Sequence, residues 1–312
     1  MLELDDIQGN ILAGFNTDFQ VIAGLCVKSG ADPKQVSQWL AQRAPEITTV
    51  NEINVQRLRM KAISFKNSLS WLFLAVSERI MGSTQSDVIF ADEAFRRGMV
   101  RRSGPVLGDN TSPNNWIIGG NHTSIDVLLI VASNMKNVAE ERVTMLLENA
   151  KAYGFEQTYL ESANKLNGIE HFGFRDGISQ PTIVGIDPDG DMQAGHFVYG
   201  YPKTVGSPPV NVLVDARGVT KNGSLIVIRR LEQDVALFHD FCASAAKEIS
   251  AQWPDITPEK LQALIVGRWP HGSLVSFNDL SDPGQQPNEN AFDFSDDFEG
   301  KRCPFWCAHS KS

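Results

Sequence analysis

The sequence predicts an α+β protein of two domains, with antiparallel sheets and helices packed on one face. Three observations lead there. At 312 residues the chain exceeds the usual single domain. Its apolar segments alternate between strand-like runs and helical spacing, with helices too few and strands too mixed for a wound parallel sheet. The two halves share a coarse strand–helix rhythm without a residue-level repeat. The expected domains are 1–165 and 166–312, the Gly-rich stretch from Ile169 opening the second.

The elements follow in order. FQVIAGLCVKS (19–29) reads as a strand with clustered apolar positions. ADPKQVSQWLAQRAPEI (31–47) has helical spacing: Val36, Trp39 and Leu40 share a face, Asp32 caps it and Pro33 sits in its first turn. MKAISFK (60–66) is expected as a second strand and LSWLFLAVSERIM (69–81) as a short helix. A loop excursion covers Ser103 to His122, where Gly, Pro and Asn accumulate. SIDVLLIVASN (124–134) is the clearest strand, followed by a helix over 138–154 that Gly154 closes. In the second half, strands are expected at HFVYGYP (196–202) and SLIVIRRLEQD (224–234). Helices are expected at 235–253 and 257–269, the latter begun by Thr257 and Pro258.

The formal charge of −9 argues against a general electrostatic grip on nucleic acid or anionic membrane. The longest apolar stretches are about half the length that crosses a bilayer. The acidic start, MLELDDIQGN, lacks the basic and apolar regions of a secretory signal, so a cytoplasmic location is the expectation. Four cysteines do not make a disulfide scaffold. Cys26 and Cys242 read as small buried hydrophobes, whereas Cys303, Cys307 and His309 are close enough to raise a zinc site.

Among motifs, FGFRDGISQP (172–181) is the most informative. Gly173 and Gly177 bracket a Phe-Arg-Asp run, so the backbone can approach a large flat ligand while Asp176 is held in a turn. The bland reading is that Asp176 only accepts backbone N–H bonds there. His171 reads as a hydrogen-bonded structural histidine. No G-x-S-x-G elbow, H-E-x-x-H, G-x-G-x-x-G or P-loop occurs, which removes hydrolase, zincin and nucleotide readings. The pairs Arg96-Arg97 and Arg101-Arg102 read as surface ion-pair partners.

Six segments in order resemble the dye-decolorizing peroxidases over essentially the whole chain. They are DDIQGNILAGF, FRRGMVRRSGPVLGD, EHFGFRDGISQP, RRLEQDV, VGRWPHGSLV and RCPFWCAH. The resemblance implies two ferredoxin-like domains and one haem b per chain, held largely by the second. It implies a peroxidase that uses hydrogen peroxide to oxidise bulky dyes or phenolic compounds, with a homodimer unsurprising. Asp176 matches the family's distal acid, and His309 the proximal iron ligand. Phe174, Gly177, Ser179 and Gln180 would lie along the haem. A carboxylate ordinarily ionises near pH 4, so a distal one working as a base implies an acidic activity optimum. Bulky reductants imply electron transfer from a surface aromatic, with Trp116, Trp253, Trp269, Trp306 and the four tyrosines as candidates.

The chain departs from that pattern after His309, which only Ser310, Lys311 and Ser312 follow. The expectation is a second domain that is incomplete and lacks the family's distal arginine, whose preorganised charge can be worth about 3–4 kcal/mol. Cys307 also enters beside the Ala-His pair, so the segment is shifted by one residue. The alternative is therefore a truncated, catalytically impaired or haem-poor relative acting as a binding protein. A zinc-binding structural protein is the third reading.

Overall fold

The chain runs α1 (Gly9–Leu12), β1 (Phe19–Val27), α2 (Pro33–Arg43), α3 (Val50–Ala62), β2 (Ser70–Val76), α4 (Glu93–Arg102), β3 (Val127–Ser133), α5 (Lys136–Ala152), β4 (Phe155–Asn164), β5 (Pro202–Val205), β6 (Val210–Leu213), α6 (Val235–Ile249) and α7 (Pro258–Val266). This computed structural model describes residues 1–62, 70–77, 80, 92–178, 180–206, 208–213, 220–275, 282 and 284, with 59–62 as backbone alone. They group into two compact units. The first is Met1–Lys165 with Pro181–Arg230, and the second is Leu166–Gln180 with Leu231–Ser312.

The first unit is built on an antiparallel sheet of order β2-β3-β1-β4, the ferredoxin-like arrangement of two interleaved βαβ halves. Alternate residues of its strands face opposite ways, and both faces are covered. Val21, Leu25, Leu72, Val127, Leu129 and Val131 pack against Trp39 of α2 and Val143, Leu146 and Ala150 of α5. Phe73, Leu128, Ile130 and Ala132 pack on the other side with Phe15 and with Ile53 of α3. Helical cover on one face was expected, and the second face is closed as well. All seven residues of β3 are buried in consequence, which is why it reads as a continuous apolar run instead of an alternation.

The capping chemistry of α2 is as the sequence predicts, the Asp32 carboxylate accepting from the Lys34 amide at 2.9 Å. Trp39 is fully buried, stacks at 4.9 Å on Phe155 and donates its indole N–H to Asn149 at 3.0 Å. Other expectations fail. LSWLFLAVSERIM contains a strand, because Ser70–Val76 is an apolar run without helical period that pairs along β3. Met60 to Ala62 end α3, and the rest of MKAISFK lies outside the described residues. HFVYGYP is a turn that follows the short helix Ala194–His196, with only Pro202 entering β5. SLIVIRRLEQD forms no ladder among the described residues, although its composition is that of a strand. Strand β4 was not anticipated: most of its residues are exposed or half-buried, so it carries little apolar signal.

The outer edge of β2 is closed by side chains. The Gln8 amide donates to the Leu74 carbonyl at 2.9 Å and accepts from the Leu74 amide at 3.1 Å, like a strand of one residue. Thr48 does the same for Leu72, its amide donating at 2.9 Å and its hydroxyl accepting at 3.0 Å. In the second unit, α6 and α7 pack through Cys242, Ala246, Leu261, Leu264 and Trp269. Asp234 and Thr257 cap their N-termini, accepting from Leu237 and Lys260. Cys26 and Cys242 are buried, as expected. Among the described residues no helix is long and apolar enough to cross a membrane.

Candidate active site

The FGFRDG run is a folded turn in the second unit, closed by two backbone bonds that together make one antiparallel bridge. Ile169 and Arg175 form an isolated antiparallel bridge. Glu170 donates its amide to the Phe174 carbonyl at 2.8 Å, and Asp176 donates its amide to the Gly168 carbonyl at 2.8 Å. The Arg175 amide donates to the Pro270 carbonyl at 2.8 Å, tying the turn to the 268–274 hairpin. There the buried Arg268 guanidinium donates to the Gly272 carbonyl at 2.7 Å. Burial holds that guanidinium below its ordinary pKa.

The centre of the turn is Glu170. Its carboxylate accepts from the amides of Phe172 and Phe174 and from the Gln233 side chain, each at 2.9 Å. Burial pushes the carboxyl up, but these bonds outweigh it and hold it below the usual glutamate range. Neither Glu170 nor Gln233 was singled out as a site residue. Both lie inside recognisable segments, EHFGFRDG and RRLEQDV, but nothing in either segment says that one accepts from the other.

Phe174 is buried and anchors the turn, while Asp176, Gly177 and Gln180 are exposed. One Asp176 oxygen, Oδ1, accepts from the Gly177 amide at 2.7 Å, and Oδ2 has no partner among the described residues. The bland reading of Asp176 thus accounts for one of its two oxygens. Ser179 and His309 lie outside the described residues, as do Cys303, Cys307 and Trp306. His171 is exposed and its ring makes no hydrogen bond among the described residues, contrary to expectation. Of the aromatic candidates, Trp116, Trp253, Tyr153 and Tyr199 are half-buried, and Trp269, Tyr159 and Tyr201 are buried.

A haem needs a flat approach to the backbone on its distal side. A Cβ placed on Gly173 or Gly177 would meet nothing within 4 Å, and both residues have positive φ, +98° and +74°, which a side chain would strain. The turn therefore leaves open backbone beside the Asp176 carboxylate, which a flat macrocycle could approach. No group of three or more metal-binding side chains occurs among the described residues.

Residues 6–166 match the DyP dimeric alpha+beta barrel domain. Over 97% of its length the chain is 26% identical to the dye-decolorizing peroxidase msp1 of Mycetinis scorodonius, of which it covers 59%. Over 45% of its length it is 34% identical to the multifunctional dye peroxidase DyP2 of an Amycolatopsis species, covering 30% of that protein. The chain thus spans under three fifths of the curated relatives it matches. The crystal structure of the Anabaena DyP-type peroxidase superposes with a TM-score of 0.73 at 25% identity, over 97% of this chain and 65% of that one. An ancestral D-type dye-decolorizing peroxidase gives a TM-score of 0.75 at 23% identity, over 97% and 68%.

Proposed function

Because the chain belongs to the dye-decolorizing peroxidase family, we propose that it is a haem-dependent peroxidase with Asp176 as distal proton carrier and His309 as proximal iron ligand. The observation that carries this reading is the Asp176 turn: an exposed carboxylate with one free oxygen, beside backbone that bears no side chain at Gly173 and Gly177. When bound, haem b supplies the iron on which peroxide is reduced.

The chain's own residues supply the rest. Peroxide must lose a proton from one oxygen and gain one on the other before the O–O bond can break to release water. Asp176 Oδ2 takes that proton and returns it, while the Gly177 amide on Oδ1 fixes the carboxylate plane. Phe174, buried in the same turn, anchors the backbone that carries Asp176. Gly177, Ser179 and Gln180 would line the haem. His309 would hold the haem iron through a neutral imidazole. The two electrons that turn peroxide into two waters come from a bulky aromatic reductant, a dye or a phenolic compound. A homodimer is part of the same proposal.

Titrating the protein with hemin and then peroxide tests the reading. Saturable binding with a sharp Soret band is expected, and His309→Ala should lose it. Asp176→Asn should keep the band but lose about 10²–10⁴-fold in peroxide turnover. Undiminished turnover in Asp176→Asn would overturn the assignment.

A further inference from the structure

The chain contains two Asn–Gly pairs, Asn167–Gly168 and Asn222–Gly223, and the fold treats them oppositely. In such a pair the unhindered glycine nitrogen attacks the asparagine side-chain carbonyl carbon. The new N–C bond forms, the nitrogen loses its proton, and ammonia leaves a cyclic succinimide. Water then opens the ring at either carbonyl, giving aspartate or isoaspartate, with no co-reactant besides water. In isoaspartate the backbone runs through the side-chain carbons and is one methylene longer.

Asn222 is held against this reaction. It is 5% exposed, and its Nδ2 donates to Glu3 Oε2 at 2.8 Å and to Asp6 Oδ2 at 2.6 Å. Its Oδ1 accepts from the Tyr201 hydroxyl at 2.5 Å, and the Gly223 amide is engaged by the Thr220 carbonyl at 3.0 Å. Turning the side chain toward Gly223 breaks three bonds, and the product would set a third carboxylate against Glu3 and Asp6. Asn167 has none of this. It is exposed and its side chain has no hydrogen-bond partner among the described residues. A Cβ placed on Gly168 would meet nothing within 4 Å, so no wall opposes the lengthened product. Only the 2.7 Å bond from the Gly168 amide to the Leu166 carbonyl, across a three-residue turn, must open.

We propose that Asn167 is a site of spontaneous deamidation and that its conversion to isoaspartate resets the Asp176 turn. The link is the Gly168 carbonyl, which accepts the Asp176 amide at 2.8 Å. An extra methylene just before Gly168 moves that carbonyl and releases the amide. Where Asp176 is the distal proton carrier, on which reading the functional consequence rests, the modification ages the site without touching the carboxylate.

The full chain is aged in mildly alkaline buffer, folded and in urea, then digested. Amide-to-carboxyl mass shifts and isoaspartyl methyltransferase labelling are read at both asparagines. In the folded protein Asn167 converts at least about tenfold faster than Asn222, and in urea the difference vanishes. Equal rates in the folded state, or no conversion at Asn167, overturn the site. Hydrogen exchange at the Asp176 amide, compared between aged and fresh apo-protein, tests the coupling. Lost protection supports it, and unchanged protection overturns it. Neither readout depends on peroxide turnover, so failure here is distinct from failure of the peroxidase reading.

Discussion

Glu170 stands in the chain directly before a histidine, and the residue that matters to the turn is the glutamate. Its three donors converge on one carboxylate, so Glu170→Gln leaves at least one facing an NH2 group, at a cost of about 1–3 kcal/mol. The carboxyl is held below its ordinary value in the fold, so its contribution is full above the unfolded pKa of about 4.3 and is lost as pH falls through the folded value. Chemical denaturation of both forms across the acid range should show a stability gap near neutrality that closes on acidification. A gap that widened would assign the wrong sign to the group. The turn that carries Asp176 was legible in the sequence because glycines with a structural task flank it. Glu170 was not, because a carboxylate that accepts backbone amides leaves no spacing rule of its own. Tyr159 shows the same limit: burial, then its bond to Glu161, pushes its phenol up to about 12, and the partner was visible only once β4 existed.

Elements were legible where period and punctuation agree. Asp32 with Pro33 and Thr257 with Pro258 mark the starts of α2 and α7, the apolar spacing of α5 marks its face, and those helices stand where expected. Strand β2 has no polar alternation to mark it, because both its faces are covered and its outer edge is closed by Gln8 and Thr48. Ser224 to Asp234 fails in the opposite sense, with strand composition but no neighbouring backbone to pair with among the described residues. Tertiary context decides both cases. The edge closure is testable: Gln8→Ala leaves both ladder groups of Leu74 without partners, and a loss of about 1–2 kcal/mol is expected in urea denaturation. Light scattering should rise at the same time, since an uncapped strand edge templates association. An unchanged midpoint would mean that water replaces the Gln8 amide at no cost.

At the scale of the whole molecule, the net charge of −9 repels anionic reductants and ignores neutral ones. On the proposed peroxidase reading, kcat/KM of the haem-loaded protein with a sulfonated dye should rise with salt, as screening shortens to about 10 Å at 0.1 M, while that with a neutral phenol should stay flat. Parallel salt curves would mean that a local patch, not the net charge, governs approach. The sheet carries a further consequence. β1 pairs with β3 and β4 and makes no ladder with β2, so the strand made first waits for those made last. A ribosome adding about 5–20 residues per second needs roughly 5–20 s to cover the intervening hundred or so residues. Throughout that time Val21, Ala23 and Leu25 have no sheet to enter. The nascent chain is therefore most vulnerable early in its birth, and a chaperone that binds short apolar segments would find its target near the N-terminus.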